Sequence, residues 1–261
     1  KPLERGKGLD DLVHDLYTSG KRVIFTMGKG GVGKTTLATR IAIGLNSLGA
    51  KVHLTTTDPA NHLNYDMVVH EGIEVSKIDE SEVLEIYKNE VRTKARENHI
   101  TETDMEYIEE DLRSPCTQEI AVFKAFADIV EKSETEIVVI DTAPTGHTLR
   151  MLQLPSAWST FINESTHGAS CLGQLSGLEE RKGVYQQAVK TLADSRATLL
   201  ILVSRPDKSP LQEAARSSKE LQLLGIENQF LIINGVLQQT DDQDDISRQL
   251  RERQQEALRD M

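Results

Sequence analysis

Between Met27 and Thr36 the chain reads Met-Gly-Lys-Gly-Gly-Val-Gly-Lys-Thr-Thr. The run fits G-x-x-x-x-G-K-[ST], and it follows an apolar β-branched stretch, Val23 to Thr26, and precedes a helical pattern from Thr35 to Leu48. Strand, glycine-rich turn and helix in that order predict a phosphate-binding loop. Gly28, Gly30, Gly31, Val32, Gly33 and Thr36 are expected to line it; the glycines let backbone N–H groups turn inward around phosphate oxygens, and the helix N-terminus adds a favourable field. Lys34 then reaches the β- and γ-phosphates, and the Thr35 hydroxyl ligates Mg²⁺. Two aspartates complete this chemistry. Thr55-Thr56-Thr57-Asp58 ends a strand and places Asp58 where an attacking water is oriented. Ile137-Val138-Val139-Ile140-Asp141 is a buried strand ending in an acid, the form of an element that holds Mg²⁺ through water. Asn234, just after the strand Leu231-Ile232-Ile233, is positioned to read an adenine edge. ATP or ADP with Mg²⁺ is therefore the expected ligand pair.

The elements needed to position these residues are visible along the chain. Val52 to Thr56, Ile73 to Ile78, Leu199 to Val203 and Phe230 to Ile233 read as further strands. Helical patterns at 81–97, 118–131, 183–192 and 211–224 fill most of the intervals. Alternation of this kind predicts an α/β fold, a doubly wound and mainly parallel sheet flanked by helices. With no internal repeat and no Pro/Gly/Ser-rich linker, residues 1–261 are expected to form one domain. A charged helical segment at 81–113 is expected to cap the sheet.

Composition narrows the partners. The chain has 261 residues, 38% of them apolar, and a formal charge of −11. That balance disfavours DNA, RNA or anionic lipid, which need basic surface. No stretch approaches the roughly 20 apolar residues of a membrane span, and Lys1-Pro2-Leu3-Glu4-Arg5 lacks a signal peptide's apolar segment. Cys116 and Cys171 are the two cysteines, a poor disulfide framework in a chain with no secretion signal. The cytosol is the expected compartment.

The loop carries an additional lysine, Lys29, which in an arbitrary phosphate loop is a solvated surface charge. Here Gly28-Lys29-Gly30-Gly31-Val32-Gly33-Lys34-Thr35-Thr36 resembles the deviant Walker A loop of the SIMIBI class of nucleotide hydrolases. That resemblance implies that Lys29 reaches across a dimer interface to the partner's nucleotide, as an arginine finger does. One such loop per chain then implies a homodimer joined through the nucleotides.

A narrower resemblance appears at Asp141-Thr142-Ala143-Pro144-Thr145-Gly146-His147-Thr148-Leu149-Arg150. With the loop and Asp58-Pro59-Ala60, this string is similar to the ArsA/tail-anchored-protein-targeting ATPases, over nearly the whole chain. Leu112-Arg113-Ser114-Pro115-Cys116-Thr117-Gln118 and Gly168-Ala169-Ser170-Cys171-Leu172-Gly173 resemble the arsenical pump-driving branch, in a form with a single phosphate loop. The resemblance implies that Cys116 and Cys171 are metalloid ligands, that His147 lies near them, and that a membrane carrier receives arsenite or antimonite. The protein would then be cytoplasmic, and peripheral at the membrane when bound to the carrier. It also implies a chain that continues beyond Met261 into a further strand and an adenine-contacting loop, and the missing initiator Met leads to the expectation of residues before Lys1. Trivalent arsenic and antimony are soft and prefer thiolate sulfur. One chain offers two thiols and a dimer four, so a bridging metalloid would draw the two nucleotide sites together.

The targeting branch is the alternative. It requires a wide apolar groove, often Met-rich, whereas the segment from Glu82 to Arg113 is heavily charged and holds only Met105. The zinc-binding Cys-x-x-Cys of that branch's eukaryotic members is missing from the sequence. A partitioning ATPase acting on DNA or membrane fits poorly with the acidic balance and with a tail from Asp244 to Met261 that lacks a membrane-binding apolar face. A metabolic kinase would need an acceptor-substrate motif, and none is evident.

Overall fold

The computed structural model describes residues 8–57, 72–142, 177–178, 180–223, 226–237 and 245–259. Six strands run parallel through this part of the chain: β1 (Val23–Met27), β2 (Val52–Thr56), β3 (Ile73–Lys77), β4 (Ile137–Thr142), β5 (Thr198–Ser204) and β6 (Gln229–Ile233). They form one sheet in the order β3-β2-β4-β1-β5-β6. All six were legible as apolar β-branched runs, and the α/β class with a parallel sheet holds. From β1 the chain first builds outward through β2 and then, after β4, builds on β1's other side. β1 is therefore the switch point, where ligands bind at the carboxyl ends of the strands in doubly wound sheets.

Alternation along each strand divides the core in two. Val23, Phe25 and Met27 of β1, Val138 and Ile140 of β4, and Leu200 and Leu202 of β5 face one side. There they meet α3 (Glu80–Glu97), α4 (Glu102–Asp111), α5 (Pro115–Glu131) and α6 (Lys182–Ala193) through Val91, Ile108, Phe126 and Tyr185. The intervening residues Ile24, Val139, Leu199 and Ile201 face the other side. These pack on α1 (Leu9–Thr18) and α2 (Lys34–Ser47) through Leu16, Ile41 and Leu45. Burial on both faces is what a parallel sheet requires. Two further helices, α7 (Lys208–Leu223) and α8 (Asp245–Arg259), follow β5 and β6.

Three features differ from the sequence expectation. The spacing Leu9, Leu12, Val13, Leu16 forms α1, for which no element was predicted; its apolar stripe, with Leu12, Val13 and Leu16 buried, packs against α2. α8 likewise forms where only a polar tail was expected; it buries Gln254 and Ala257, and the Gln254 amide pairs with the Leu237 backbone. The charged segment is helical and lies on one face of the sheet, and beyond covering it the segment adds to the core. α3 buries Tyr87, Val91 and Ala95 in the core, and Ile108 and Leu112 follow from α4 and its end. Burying Val91 alone stabilises by roughly 1.5–3 kcal/mol. The charges of α3 and α4 occupy the solvent side, as in the Arg92–Glu109 pair that ties the two helices, with Nε 2.6 Å from Oε1.

Candidate nucleotide site

The loop from Gly28 to Gly33 leaves β1 and enters α2 with Gly33 as N-cap. Gly33 has φ 87° and Gly31 has φ 81°, in the left-handed region that glycine adopts without strain. Gly28 is fixed by space: a Cβ there would lie 2.4 Å from the Val203 carbonyl oxygen of β5. No side chain caps α2, so its first N–H groups face the loop and favour an anion.

Asp141 is the centre of the polar cluster. It sits near the end of β4, fully buried, in register with Thr26 of β1 and Thr56 of β2. The Thr35 hydroxyl donates to its Oδ2 at 2.8 Å, and the Thr26 hydroxyl donates to its Oδ1 at 3.1 Å. Lys34 Nζ lies 3.6 Å from Oδ1, with both side chains buried. The Thr142 hydroxyl donates to the Thr26 carbonyl at 3.2 Å and steadies this corner. A buried carboxylate is tolerated only where charge and donors compensate it, and here one cation and two hydroxyls do so. The donors present at this corner, a threonine hydroxyl and a carboxylate, are hard oxygens of the type that suits Mg²⁺.

The predicted residues therefore divide by location. Lys34, Thr35 and Asp141 come together, with Gly28, Gly30, Gly31, Val32 and Gly33 forming the loop above them. Thr36 is exposed on the first turn of α2. Asn234 lies beside the loop rather than extended from it. Its backbone N–H continues the pairing with Ser204, and its Nδ2 donates to the Val32 carbonyl at 3.0 Å. It also borders a cavity of about 250 Å³ shared with Gly33, Thr36, Arg40 and Ile233. Lys29 is exposed, and its Nζ donates to Ser209 Oγ in the first turn of α7 at 3.3 Å. Thr57 N–H donates to the Asp141 carbonyl at 2.9 Å, so the chain leaves β2 beside Asp141; Asp58 itself lies outside the described residues, as do His147 and Cys171.

Cys116 occupies the first turn of α5, where Ser114 is the N-cap and Pro115 the first helical residue. The helix starts three residues earlier than the predicted 118, because Ser-Pro is itself a start signal. Cys116 is half-buried against the core and is disulfide-bonded. That departs from the expectation that the chain's cysteines would not pair, since the spacing of cysteines along a sequence does not fix their separation in a fold. Thr26 was missed at the sequence level, although a polar residue within the apolar run Val-Ile-Phe-Thr-Met was a readable signal of a buried partner. Ser209 gave no such signal.

A parallel sheet with a glycine-rich loop at its switch point and a buried acid on the neighbouring strand defines a P-loop nucleotide-triphosphatase fold. The family model for anion-transporting ATPases matches residues 21–261, and the chain belongs to that family. It is 39% identical over 250 residues to an arsenical pump-driving ATPase of Escherichia coli and 38% over 251 residues to one of Acidiphilium multivorum. Each match covers 90% of this chain and 43% of the relative, so the chain spans less than half the length of these proteins. ATPase GET3A of Arabidopsis thaliana is 30% identical, over 88% of this chain and 70% of its own. Among the described residues, no helix is long and apolar enough to cross a membrane.

Proposed function

We propose that this chain hydrolyses ATP to ADP and phosphate with Mg²⁺, as a cytoplasmic homodimer, and that arsenite or antimonite stimulates the reaction to drive metalloid export through a membrane carrier. The observation that supports hydrolysis best is the cluster of Lys34, Thr35 and Asp141 under the glycine loop. In this reading the loop N–H groups and Lys34 hold the phosphates, while Thr35 and Asp141 hold Mg²⁺. Mg²⁺ held by Thr35 and Asp141 would supply positive charge to offset that of the phosphates. Asp58 orients the attacking water, and Lys29 acts on the partner's nucleotide. Its exposed position, away from the chain's own Lys34–Asp141 pair, suits a residue that acts across an interface. Asn234 tethers the loop and contacts the base from the adjoining cavity. Residues 1–261 are read as one domain, since α3 and α5 share a core with the sheet.

The metalloid rests on the named relatives and on thiol chemistry. Cys116 and Cys171, with His147 beside them, are the proposed ligands, contributed by both members of the dimer. A thiolate is the binding form, so the disulfide at Cys116 must first be reduced. The first turn of α5 favours an anionic ligand atom.

A second reading is a targeting ATPase that carries apolar segments, supported by the likeness to GET3A. It is weakened by α3, which turns its apolar residues inward to the core and leaves only Ile86 and, on α4, Tyr107 as large exposed apolar groups there. Steady-state phosphate release from MgATP, compared with Lys34→Ala, tests the hydrolytic claim. Release that the substitution abolishes supports it, and equal release by both proteins contradicts it.

A further inference from the structure

At the opposite end of the sheet from the glycine loop, three side chains from consecutive positions in the strand order converge. His53 is the second residue of β2, Glu74 the second of β3, and Glu136 immediately precedes β4. One ligand-capable atom from each lies within 4.8 Å of the other two. His53 and Glu136 are 4% and 5% exposed, yet His53 Nδ1 and Glu136 Oε2 have no hydrogen-bond partner.

The tautomer follows from the neighbours. Ser76 Oγ donates to Thr55 Oγ1 at 2.9 Å, so at 2.8 Å from His53 Nε2 it accepts the ring proton. In the neutral ring Nδ1 is then a bare lone pair. It faces Glu74 Oε2 at 3.4 Å and Glu136 Oε2 at 3.9 Å, outside hydrogen-bond geometry with either. His53 Nδ1 and Glu136 Oε2 are thus buried acceptors that receive no hydrogen bond, while Lys51 and Lys132 reach Glu136 Oε1 and the two Glu74 oxygens; two unsatisfied acceptors side by side are costly unless a cation joins them. We infer that His53, Glu74 and Glu136 form a binding site for a divalent transition metal of the zinc class.

Dimensions agree. Ligand atoms at the usual Zn–N and Zn–O lengths and tetrahedral angles lie roughly 3.4 Å from one another, and the His53–Glu74 separation is 3.4 Å. One imidazole and two carboxylates is a familiar zinc donor set. Burial, ahead of the Lys132 charge, lowers the basicity of His53, with Glu74 and Glu136 opposing. Lys51 Nζ holds the other oxygen of Glu136, Oε1, at 2.7 Å and so aims Oε2 inward, the orienting contact that metal ligands need. Lys51 Nζ lies 3.8 Å from Glu74 Oε1, and Lys132 Nζ lies 3.5 Å from Glu74 Oε2. Lys132 is 40% exposed, so its ammonium has room to turn to solvent if a metal takes Glu74 Oε2. A metal here would pin β3 to β2 and to the start of β4.

Isothermal titration of the full chain, free of any histidine tag, with Zn²⁺ tests the site beside His53→Gln and Glu74→Gln. One equivalent is expected that His53→Gln removes and Glu74→Gln weakens about tenfold or more, with a wild-type unfolding temperature that rises with added Zn²⁺. Glu74 is half-exposed, so its variant folds whatever becomes of His53→Gln. Zinc taken up by thiols would persist in both variants. Equal uptake by wild type and Glu74→Gln, or no uptake by wild type, overturns the inference.

Discussion

Thr35 and Asp141, 106 positions apart in the sequence, meet through a 2.8 Å hydrogen bond from the threonine hydroxyl to Oδ2. The contact joins the first turn of α2 to the end of β4. It places two hard oxygen donors at the end of the phosphate loop. Asp141→Asn keeps the shape and removes the charge that balances Lys34. Hydrolysis is expected to fall on the order of a hundredfold and to lose its dependence on Mg²⁺, with a near-normal circular-dichroism spectrum. Initial rates across a Mg²⁺ series check this.

Glycines of the loop should differ sharply in tolerance. A Cβ at Gly28 meets the Val203 carbonyl at 2.4 Å, whereas one at Gly30 meets nothing within 4 Å. Gly28→Ala should cost about 1–3 kcal/mol through the displacement of β5 or the loop, and Gly30→Ala less than about 0.5 kcal/mol. Denaturant midpoints of the two variants give the comparison directly.

How much of this was legible in the sequence depends on range. The loop from Gly28 to Thr36 and the acid at Asp141 announce themselves because each is a local pattern: a strand, then a residue type set by what the strand's end must do. The same holds for all six strands, whose apolar β-branched runs need no partner to be recognised. That Thr26 needs a buried partner was readable, but that the partner is Asp141 was not, because it depends on β4 lying beside β1 in one register. The convergence of His53, Glu74 and Glu136 depends on three strands and is invisible to any spacing rule. α1 was a different kind of miss, since its stripe of Leu9, Leu12, Val13 and Leu16 was present in the sequence all along.

Lys29 provides a test of assembly. Lys29→Ala should fail to hydrolyse nucleotide while still binding it, because among the described residues the change removes one exposed hydrogen bond, to Ser209, and leaves Lys34 in place. Mixed with Lys34→Ala it should recover activity: a mixed dimer has one site with an intact Lys34 from one chain and an intact Lys29 from the other. Half the dimers in an even mixture are mixed, and each has one complete site of two, so about one quarter of the wild-type rate is expected. If Lys29 served its own chain's nucleotide, the mixture would stay inactive.

Glu109 links stability of the α3–α4 pair to pH. The side-chain hydrogen bond from Arg92 holds its carboxyl below the ordinary carboxylate range, with burial opposing and the Arg92 charge adding to the effect. A carboxylate whose folded-state pKa is depressed contributes stability that is present above its unfolded value of 4.5 and is lost as pH falls through the lower folded value. The pair is about one-third exposed, and solvent screening keeps the contribution to less than about 1 kcal/mol. Glu109→Gln should lower the urea midpoint at pH 7 slightly, and the difference from wild type should shrink below pH 4.

The central claim is that a metalloid on cysteine gates hydrolysis, and the direct test is the MgATP hydrolysis rate with and without arsenite. The thiols are kept reduced with a phosphine, because dithiols themselves bind arsenite. Wild type should be stimulated severalfold, while Cys116→Ser and Cys171→Ser hydrolyse at the unstimulated rate with arsenite adding nothing. A wild-type rate that arsenite leaves unchanged would contradict the metalloid reading and favour a carrier of apolar segments.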